Sequence, residues 1–234
     1  TEALAKSMEE ELGITFTVSS EDGCLKIAAS GENGHASTPW KGKNALTGLL
    51  ALIERLPLAE CGQLKAVRAL NHLMPHGDWF GAGLGIQISD EESGELTLAF
   101  SMLDISEKSL EGEFDSRCPI CATKENTIDV IRKNMEAEGI SFNTEELEPP
   151  HHVPADSDFV KTLLSAYESY SGRKGECIAI GGGTYVHHLK NGVAFGACLP
   201  ETENHMHGPD EFAVVDELLM SAKIFAQVIV DLCS

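Results

Sequence analysis

The sequence predicts an α+β fold over residues 1–150, followed over residues 151–234 by helices and short strands of the α/β type. In the first part, β-hairpins with alternating apolar residues lie between segments of helical periodicity. Prolines at positions 149, 150 and 154 interrupt both kinds of pattern in segment 145–155. That segment is therefore the predicted boundary between two domains.

The first part opens with a helix and a hairpin. An acidic helix is predicted over residues 2–12, and Gly13 ends it. Apolar residues then alternate with polar ones on both sides of a turn at residues 21–23, which predicts a β-hairpin. The alternating residues are Ile14, Phe16, Val18, Leu25 and Ile27.

Two further helices and a second hairpin complete the first part. Helical spacing of apolar residues predicts one helix over residues 44–56, ended by Pro57, and another over residues 126–139. Residues 61–80 are predicted to be weakly helical at best. Alternation on both sides of residues 89–94 predicts the second hairpin, whose strands are marked by Leu84, Ile86, Ile88, Leu96, Leu98, Phe100 and Met102.

The second part has fewer elements. A helix is predicted near residues 158–170, short strands at residues 177–180 and 193–195, and a glycine-rich turn at residues 181–185. The last helix has an apolar face formed by Leu218, Ala222, Phe225, Ile229 and Leu232. So few strands make a thin domain, and this part resembles half of an α/β unit whose other half is elsewhere.

Composition excludes several classes of function. The chain carries 37 Asp and Glu against 17 Lys and Arg, a net charge of −20, so nucleic acid is excluded as a partner. The longest apolar runs fall short of the roughly 20 residues that cross a membrane. Seven scattered cysteines and an N-terminus without an apolar signal core indicate a cytoplasmic protein.

Two motifs of the first part contain residues that the fold alone does not explain. Residues 34–39 read GHASTP, in which Ser37 or Thr38 is suited to cap the next helix and Pro39 to open it, whereas His35 has no capping role. Arg117 stands at a predicted strand end in a chain with few basic residues. A guanidinium there can bind a carboxylate through two hydrogen bonds, although pairing with a local acid is the commoner case.

Two motifs of the second part also have both a structural and a functional interpretation. Residues 181–184, GGGT, allow the backbone to approach a ligand and offer N–H donors to an anion, but an ordinary tight turn has the same sequence. Residues 204–211, NHMHGPDE, place histidines beside carboxylates, a pattern typical of a zinc ligand with its supporting acid. A surface histidine before an acidic helix is the alternative.

Three patterns imitate sites and are better explained by structure. Cys118 and Cys121 have redox or zinc spacing, but no second pair lies at zinc-ribbon distance. Residues 76–78, HGD, imitate a metal-binding pair without the buried strand that would hold it rigid. Residues 90–92, DEE, lie in a predicted hairpin turn, where acidic side chains are normally solvated.

Taken in order, these motifs resemble those of a known family. They are GHASTP with Gly42 and Asn44, Arg117 with Pro119, GGGTY at 181–185, VAFG at 193–196, and His207 followed by Asp210 and Glu211. The ordered set resembles the two-zinc metallopeptidase superfamily of aminoacylases, carboxypeptidases and dipeptidases. Within it, the chain is most similar to the bacterial PepV-type dipeptidases, which act on Xaa-His or β-Ala-Xaa dipeptides.

The resemblance implies a domain arrangement and site roles. Residues 1–150 would form a lid, or dimerisation-type, domain with a ferredoxin-like antiparallel sheet and helices, and residues 151–234 the C-terminal part of an α/β zinc-peptidase catalytic domain. His207 would be the zinc ligand from this part, and His35 would polarise the scissile carbonyl. Arg117 would bind the substrate carboxylate. The glycine turn would line the substrate pocket with Gly182, Gly183 and Thr184.

The remaining metal ligands of the family are an H-x-D motif, a bridging Asp, a Glu-Glu pair and a further acid. They lie in an N-terminal half that we do not find here. Zinc takes about four ligands, so one histidine cannot form the site. We therefore expect the parent protein to be a zinc dipeptidase, holding two ions when intact, and this chain to be an incomplete and inactive portion. Val186 and His187 replace the Ala-Arg that relatives often carry, which removes any arginine role there.

Three other functions use the same residues. An amidohydrolase or deacylase acting on N-acyl amino acids would share every motif. A non-enzymatic metal- or peptide-binding module would use His205 and His207, with Cys118 and Cys121. A structural association domain would form homodimers through the lid-like part, with the apolar face of helix 44–56 as the contact.

Overall fold

The computed structural model describes residues 1–196, 198–206 and 208–234. These residues fall into two compact units, each described by itself below. Unit 1 comprises Thr1–Pro150 with Ala179–Gly182, and unit 2 comprises His151–Ile178 with Gly183–Ser234. Helices and small antiparallel ladders together give the α+β composition that the sequence predicts. Among the described helices, none combines the length and the apolar character needed to cross a bilayer.

Unit 1 alternates helices with β-hairpins. Its helices are α1 (Glu2–Leu12), α2 (Ala45–Arg55), α3 (Gly62–Leu73) and α4 (Ile128–Ala137). Its strands are β1 (Thr15–Glu21), β2 (Cys24–Ser30), β3 (Ser89–Asp90), β4 (Gly94–Glu95), β5 (Thr97–Ile105) and β6 (Leu110–Arg117). The first hairpin and the helices α1, α2 and α4 confirm the predictions made from alternation and helical spacing.

The cap of α2 differs from the sequence prediction. The side chain of Asn44 accepts hydrogen bonds from the N–H groups of Leu46 and Thr47, at 3.0 and 3.2 Å. A separate 3₁₀ turn, Pro39–Lys41, lies between α2 and the residues predicted to cap it. The capping role predicted for Ser37 or Thr38 is therefore wrong, because neither residue adjoins the first turn of α2.

Residues 61–80 were predicted to be weakly helical, and this prediction is wrong for α3. Leu64, Val67, Leu70 and Leu73 recur every third residue and are buried. The Cys61 thiol accepts from the N–H of Leu64 at 3.4 Å, an uncommon cap that gives no strong sequence signal. Packing against α2, rather than intrinsic propensity, stabilises this helix.

The predicted second hairpin forms only at its turn, where β3 and β4 make a two-residue ladder, and its longer strand is paired differently. Strand β5 pairs along its length with β6, and not with residues 84–88. Leu84 and Ile86 alternate because both are completely buried in the core, while the backbone between them turns at Gly85 with φ 78°. Burial on one side thus imitates strand alternation in a segment that forms turns.

The strands of unit 1 form separate two-stranded ladders, β1–β2, β3–β4 and β5–β6. The described strands therefore do not join into the single ferredoxin-like sheet that the resemblance implies. Other groups satisfy the second edge of β5, since Asn44 donates its amide to Phe100 O at 2.8 Å and Leu98 N–H donates to Trp79 O at 2.8 Å. These contacts occupy positions that a neighbouring strand would use.

Unit 1 has two clusters of buried apolar residues, one around α3, α4 and β5 and one around α1, β1 and α2. Leu50 and Leu52 of α2 are 2% and 0% exposed, and Leu46 and Ile53 pack against the first cluster. The helix face that the association hypothesis proposes as a dimer contact thus lies against the core of its own unit.

Unit 2 is built on two packed helices, α5 (Asp158–Ser171) and α6 (Val215–Cys233). Their small core contains Leu163, Ala166, Ile224 and Val228, with Val193 and Phe195 packed against it. The predicted strands 177–180 and 193–195 form no ladder within the described part of the chain. The face predicted for the last helix is exposed instead of buried, since Ile229 is 61% exposed.

Candidate functional site

The loop between β2 and α2, residues 31–43, carries His35 and is closed at its base. Glu32 and Lys43 exchange backbone hydrogen bonds at 3.1 and 2.8 Å. Gly34 and Gly42 are so close that a Cβ on either would come within 2.9 Å of the other's backbone. Larger residues at these positions would force the loop open, so the glycine spacing in the sequence is a packing requirement.

Within this loop, Ser37 holds the imidazole of His35. The Ser37 N–H donates to Nδ1 of His35 at 3.2 Å, and the Ser37 hydroxyl lies 2.7 Å from the same atom. A backbone N–H can only donate, so Nδ1 is the acceptor, and the proton of the neutral ring is on Nε2. His35 therefore carries its hydrogen-bond donor at Nε2.

A buried threonine attaches the loop to β5. Thr97, which is 6% exposed, donates its hydroxyl to the carbonyl oxygen of Ala36 at 2.9 Å. Thr97 is also the residue that pairs with Arg117 across the β5–β6 ladder. The ladder thus brings the His35 loop and Arg117 to the same end of the hairpin.

Arg117 is the last residue of β6 and is paired with a local acid. Its Nη2 donates to Asp115 at 2.6 Å, and its side chain is 32% exposed. Its Nε is buried and has no hydrogen-bond partner among the described residues. A buried N–H without an acceptor is costly, so a carboxylate that reached this edge of the guanidinium would satisfy it.

The glycine turn approaches the same place through its first residue. A Cβ on Gly181 would lie 2.6 Å from Cβ of Ser37 and 3.4 Å from Cβ of Arg117. Nothing lies within 4 Å of a Cβ built on Gly182 or Gly183. Close backbone approach is thus required at Gly181, a residue outside the set predicted to line the pocket.

Comparison with known protein families decides what kind of chain this is. Residues 5–231 match the family described as "Peptidase family M20/M25/M40". The chain is a member of this peptidase family. The resemblance to the two-zinc metallopeptidase superfamily, drawn from the motif order, is confirmed.

Relatives of this M20/M25/M40 chain are named as dipeptidases. A putative dipeptidase (YtjP) of Bacillus subtilis is 36% identical over 91% of this chain and 45% of its own length. The β-Ala-Xaa dipeptidase of Lactobacillus delbrueckii subsp. lactis is 32% identical over 96% of this chain and 47% of its own length. A putative dipeptidase of Staphylococcus epidermidis is 29% identical over 91% and 45%. The chain spans about half the length of these curated relatives.

The zinc ligand predicted for this M20/M25/M40 chain, His207, lies outside the described residues. Its neighbour His205 packs edge-on against Phe212, with ring centroids 5.7 Å apart. Within residues 1–196, 198–206 and 208–234, no three His, Cys, Asp or Glu side chains form a group that could hold a metal ion. The described residues therefore do not fit a zinc site by themselves.

Thr184 and Gly183 belong to unit 2. The N–H of Thr184 donates to Nδ1 of His187 at 3.4 Å, and this hydrogen bond stabilises the start of the 3₁₀ turn Tyr185–His188. This N–H is used inside the unit, although the turn is predicted to offer its N–H groups to a ligand. The ring of His187 therefore stabilises this turn.

The structure supports the structural interpretation of the H-G-D motif. His76 bonds to Thr47 Oγ1 through Nδ1 and to Leu12 O through Nε2, both at 2.9 Å, so both ring nitrogens are used. Asp78 accepts from the N–H groups of Phe80, Ala82 and Gly83, an arrangement that stabilises a turn. Both side chains therefore have roles in the fold.

The Cys118–Cys121 pair adjoins Arg117, and its surroundings disfavour thiolates. Burial raises the pKa of Cys118, and loss of hydration together with Asp90 raises the pKa of Cys121. Reactive or metal-binding cysteines need the thiolate. The pair thus lacks the electrostatic environment of a redox centre.

Unit 1 also contains a cavity of about 790 Å³. It is lined by the end of α1, the base of the His35 loop, and residues 74–79 and 98–101. His35, Ser37 and Arg117 are absent from its lining. The cavity is therefore not formed by the side chains that carry the candidate donors.

The sequence predicts no site role for Ser37, Thr97 or Asp115, and it includes Gly181 only as part of the turn at residues 181–184. Ser37 has the sequence signal of a helix cap, and Thr97 is an ordinary strand residue. The contact of Thr97 with Ala36 and that of Gly181 with Ser37 join residues 61 and 144 positions apart, so no local pattern reveals them. The signals that pointed to the site were the histidine that capping leaves unexplained and the arginine at a strand end.

Proposed function

We propose that the complete protein containing this chain is a dipeptidase, which hydrolyses the peptide bond of short peptides that have a free C-terminal carboxylate. One observation carries the proposal, in a chain of the M20/M25/M40 family. An imidazole with its donor at Nε2 lies at one end of the β5–β6 ladder, together with an arginine whose Nε has no partner among the described residues. The dipeptidase names of the relatives support the same activity.

In this proposal His35 stabilises the transition state. When water adds to the scissile carbonyl, negative charge develops on its oxygen, and a fixed N–H donor at that position is worth most in the transition state. The Ser37 contacts keep Nε2 protonated in the neutral ring. In this tautomer His35 offers a donor at Nε2 and needs no proton exchange before the reaction.

Arg117 binds the C-terminal carboxylate of the substrate. One edge of its guanidinium is held by Asp115, which limits the rotation of the side chain. Its Nε has no hydrogen-bond partner among the described residues. A carboxylate bound there fixes the end of the peptide relative to His35 and restricts the activity to substrates with a free C-terminus.

Zinc belongs to the proposed intact enzyme, with two ions expected and His207 as the ligand from this chain. The described residues do not complete such a site, so most ligands would come from the part of the relatives that the alignment leaves uncovered. The roles of His35 and Arg117 given above concern their own hydrogen bonds and do not depend on the metal.

We further propose that residues 1–150 form the lid and residues 151–234 the C-terminal part of a catalytic domain. Helix α6 supports this assignment, because it has one apolar face packed on α5 and a second that is exposed. The exposed face consists of Val215, Leu218, Leu219, Phe225, Ile229 and Val230. An α/β sheet contributed by further polypeptide would cover this face, and would pair with the segments predicted as strands at residues 177–180 and 193–195. The chain alone is then inactive.

The free cysteines of the chain fit a cytoplasmic location, which is part of the same proposal. Cys24, Cys61, Cys118, Cys121, Cys177, Cys198 and Cys233 are all unpaired. Unpaired thiols persist in a reducing compartment.

The proposal is tested by assaying β-Ala-Xaa and other dipeptides, with zinc added, against the 234-residue chain and against the complete protein. We expect turnover from the complete protein and none from the chain alone. In the complete protein, a C-terminal amide in place of the carboxylate should lower kcat/KM about 10- to 100-fold, the value of a charge-assisted hydrogen bond. Arg117→Met should lower kcat/KM for the acid and abolish the difference between acid and amide.

The matched control is Arg132→Met, which removes an arginine of α4 that pairs with acids of its own neighbourhood and should leave the amide penalty unchanged. Turnover by the chain alone would refute its incompleteness. If the complete protein instead releases acyl groups from N-acyl amino acids and leaves dipeptides intact, it is a deacylase. Retention of the amide penalty in Arg117→Met would remove Arg117 from the carboxylate site.

A further inference from the structure

Ser37 approaches the imidazole of His35 with two groups at once. Its N–H and its hydroxyl lie 3.2 and 2.7 Å from Nδ1. We propose that Ser37 is a positioning residue, which fixes the tautomer and the orientation of His35 so that the Nε2–H donates to the scissile carbonyl oxygen. This inference rests on the function proposed for His35.

The two groups of Ser37 have different effects. The N–H is an obligate donor, so a proton on Nδ1 would face it and be repelled, which selects the Nε2–H tautomer. The hydroxyl can donate or accept, and it selects no tautomer by itself. At 2.7 Å it instead keeps the ring in place against the N–H. Without the hydroxyl, the ring keeps only one of its two contacts with Ser37, and its alignment with the N–H is weakened.

The backbone of Ser37 is itself fixed from two sides. On one side, the carbonyl of the preceding Ala36 accepts from the buried hydroxyl of Thr97 at 2.9 Å. On the other, Gly181 lies against Ser37, and a Cβ there would come 2.6 Å from Cβ of Ser37. Real Cβ atoms do not approach this closely, so Gly181→Ala must displace Ser37. The glycine turn thus serves the site by leaving room for the serine.

Nitrogen-15 NMR of the histidine rings tests the proposal in the 234-residue chain, without any need for activity. Long-range proton–nitrogen spectra at about pH 8 report which ring nitrogen carries the proton. We expect His35 to be in the Nε2–H form. Ser37→Ala should lower the ratio of the Nε2–H to the Nδ1–H tautomer about five-fold, the effect of one hydrogen bond, and Gly181→Ala should lower it in the same direction.

Two matched variants control this measurement. Thr38→Ala removes a hydroxyl one residue further along the loop that makes no capping bond, and Gly182→Ala adds a methyl group where a Cβ meets nothing. Neither should change the tautomer ratio of His35. An unchanged ratio in Ser37→Ala, or an equal fall in Thr38→Ala, would overturn the proposal.

Kinetics of the complete protein separate this inference from the proposed function. Ser37→Ala should lower kcat about ten-fold and leave KM within about two-fold, because the lost contact acts in the transition state. If the tautomer ratio responds but no peptide is hydrolysed even by the unchanged protein, the proposed function fails and the positioning stands. If peptides are hydrolysed and Ser37→Ala is as fast as the unchanged protein, the positioning role is wrong.

Discussion

Asp90 fixes the turn beside Arg117 through hydrogen bonds to its carboxylate. It accepts from the N–H groups of Glu92, Ser93 and Cys121 and from the hydroxyl of Ser93, at 2.6 to 3.0 Å. The Ser93 N–H is the main cause that lowers the pKa of Asp90 to about 2. The sequence predicts only a solvated acid in a hairpin turn, so the structure adds a role in connecting β3–β4 to the loop after β6.

We predict that Asp90→Asn lowers the free energy of unfolding at pH 7, because the amide offers one acceptor oxygen where the carboxylate offers two. The pKa of Asp90 is depressed in the folded state, so its contribution is fully present above the unfolded pKa of about 3.9. The contribution declines as the pH falls below that value and is lost below about 2. Urea unfolding of both proteins between pH 7 and pH 3 measures the difference.

Glu91→Gln is the control for this prediction, since Glu91 is the exposed neighbour in the same turn. The difference between wild type and Asp90→Asn should shrink toward low pH, while Glu91→Gln stays close to wild type throughout. A difference that is independent of pH would show that the carboxylate is not stabilised by its charge.

Single residues also show how much of the candidate site can be predicted from the sequence. His35 and Arg117 were chosen because local structure did not explain them, and the structure brings them to one end of a hairpin. Ser37 was assigned to a helix cap because Ser-Thr-Pro before a helix is a common start signal. The signal is local, whereas the bond to His35 depends on how the loop closes between Glu32 and Lys43.

Among the elements, helices with strong amphipathic spacing were predictable and paired strands less so. Helices α1, α2, α4 and α5 follow from periodicity, and Gly13, whose φ is 65°, ends α1 as predicted. Alternation at residues 84–88 predicts a strand, but in this segment it results from burial. Burial alone does not determine which strand is the hydrogen-bonding partner. Pairing is a tertiary property, which explains why β6 was missed as the partner of β5.

The two apolar faces of α6 predict losses of stability of different size for similar substitutions. Ile224 is 5% exposed in the core of unit 2, whereas Leu219 is 56% exposed. Ile224→Ala should lower the free energy of unfolding by about 2 kcal/mol or more, because it removes buried methyl groups. Leu219→Ala should change it by about 0.5 kcal/mol or less. Thermal unfolding of the 234-residue chain, followed by circular dichroism, measures both.

The comparison of these variants also tests the description of α6. Equal destabilisation by Leu219→Ala and Ile224→Ala would mean that the face containing Leu219 is covered in the chain alone. In that case α6 would no longer support a missing sheet. Sedimentation velocity on the same samples shows whether a second copy supplies the cover.

At the scale of the whole molecule, the prolines and the net charge are the sequence features from which properties of the chain are predicted most directly. Residues 141–156 form no helix or strand, in keeping with Pro149, Pro150 and Pro154. The exposed face of α6 and the unpaired segments 177–180 and 193–195 have no local explanation. The proposed sheet from further polypeptide would account for both features, and the chain spans 45% to 47% of the length of two relatives.

The charge of the chain leads to a prediction about salt. With 37 acidic and 17 basic side chains, the net charge is −20, and compact states of such chains are destabilised by self-repulsion. The ion pairs with the most favourable geometry, such as Arg55–Glu11, are exposed, and exposed pairs contribute little. Salt should therefore weaken the repulsion among the acidic side chains more than it weakens the attraction within the ion pairs. We expect Tm to rise by several degrees between about 0.02 M and 0.5 M sodium chloride, a range over which the screening length falls from roughly 20 Å to about 4 Å.

Measurement near the isoelectric point separates screening from other effects of salt. At a pH close to 4.7, the net charge approaches zero, so the rise in Tm should largely disappear. Salts that act by exclusion from the protein surface would raise Tm at both pH values. A fall in Tm with salt at pH 7 would instead mean that attractive pairs outweigh the repulsion, and that the excess of acidic residues is arranged so that its charges are locally compensated.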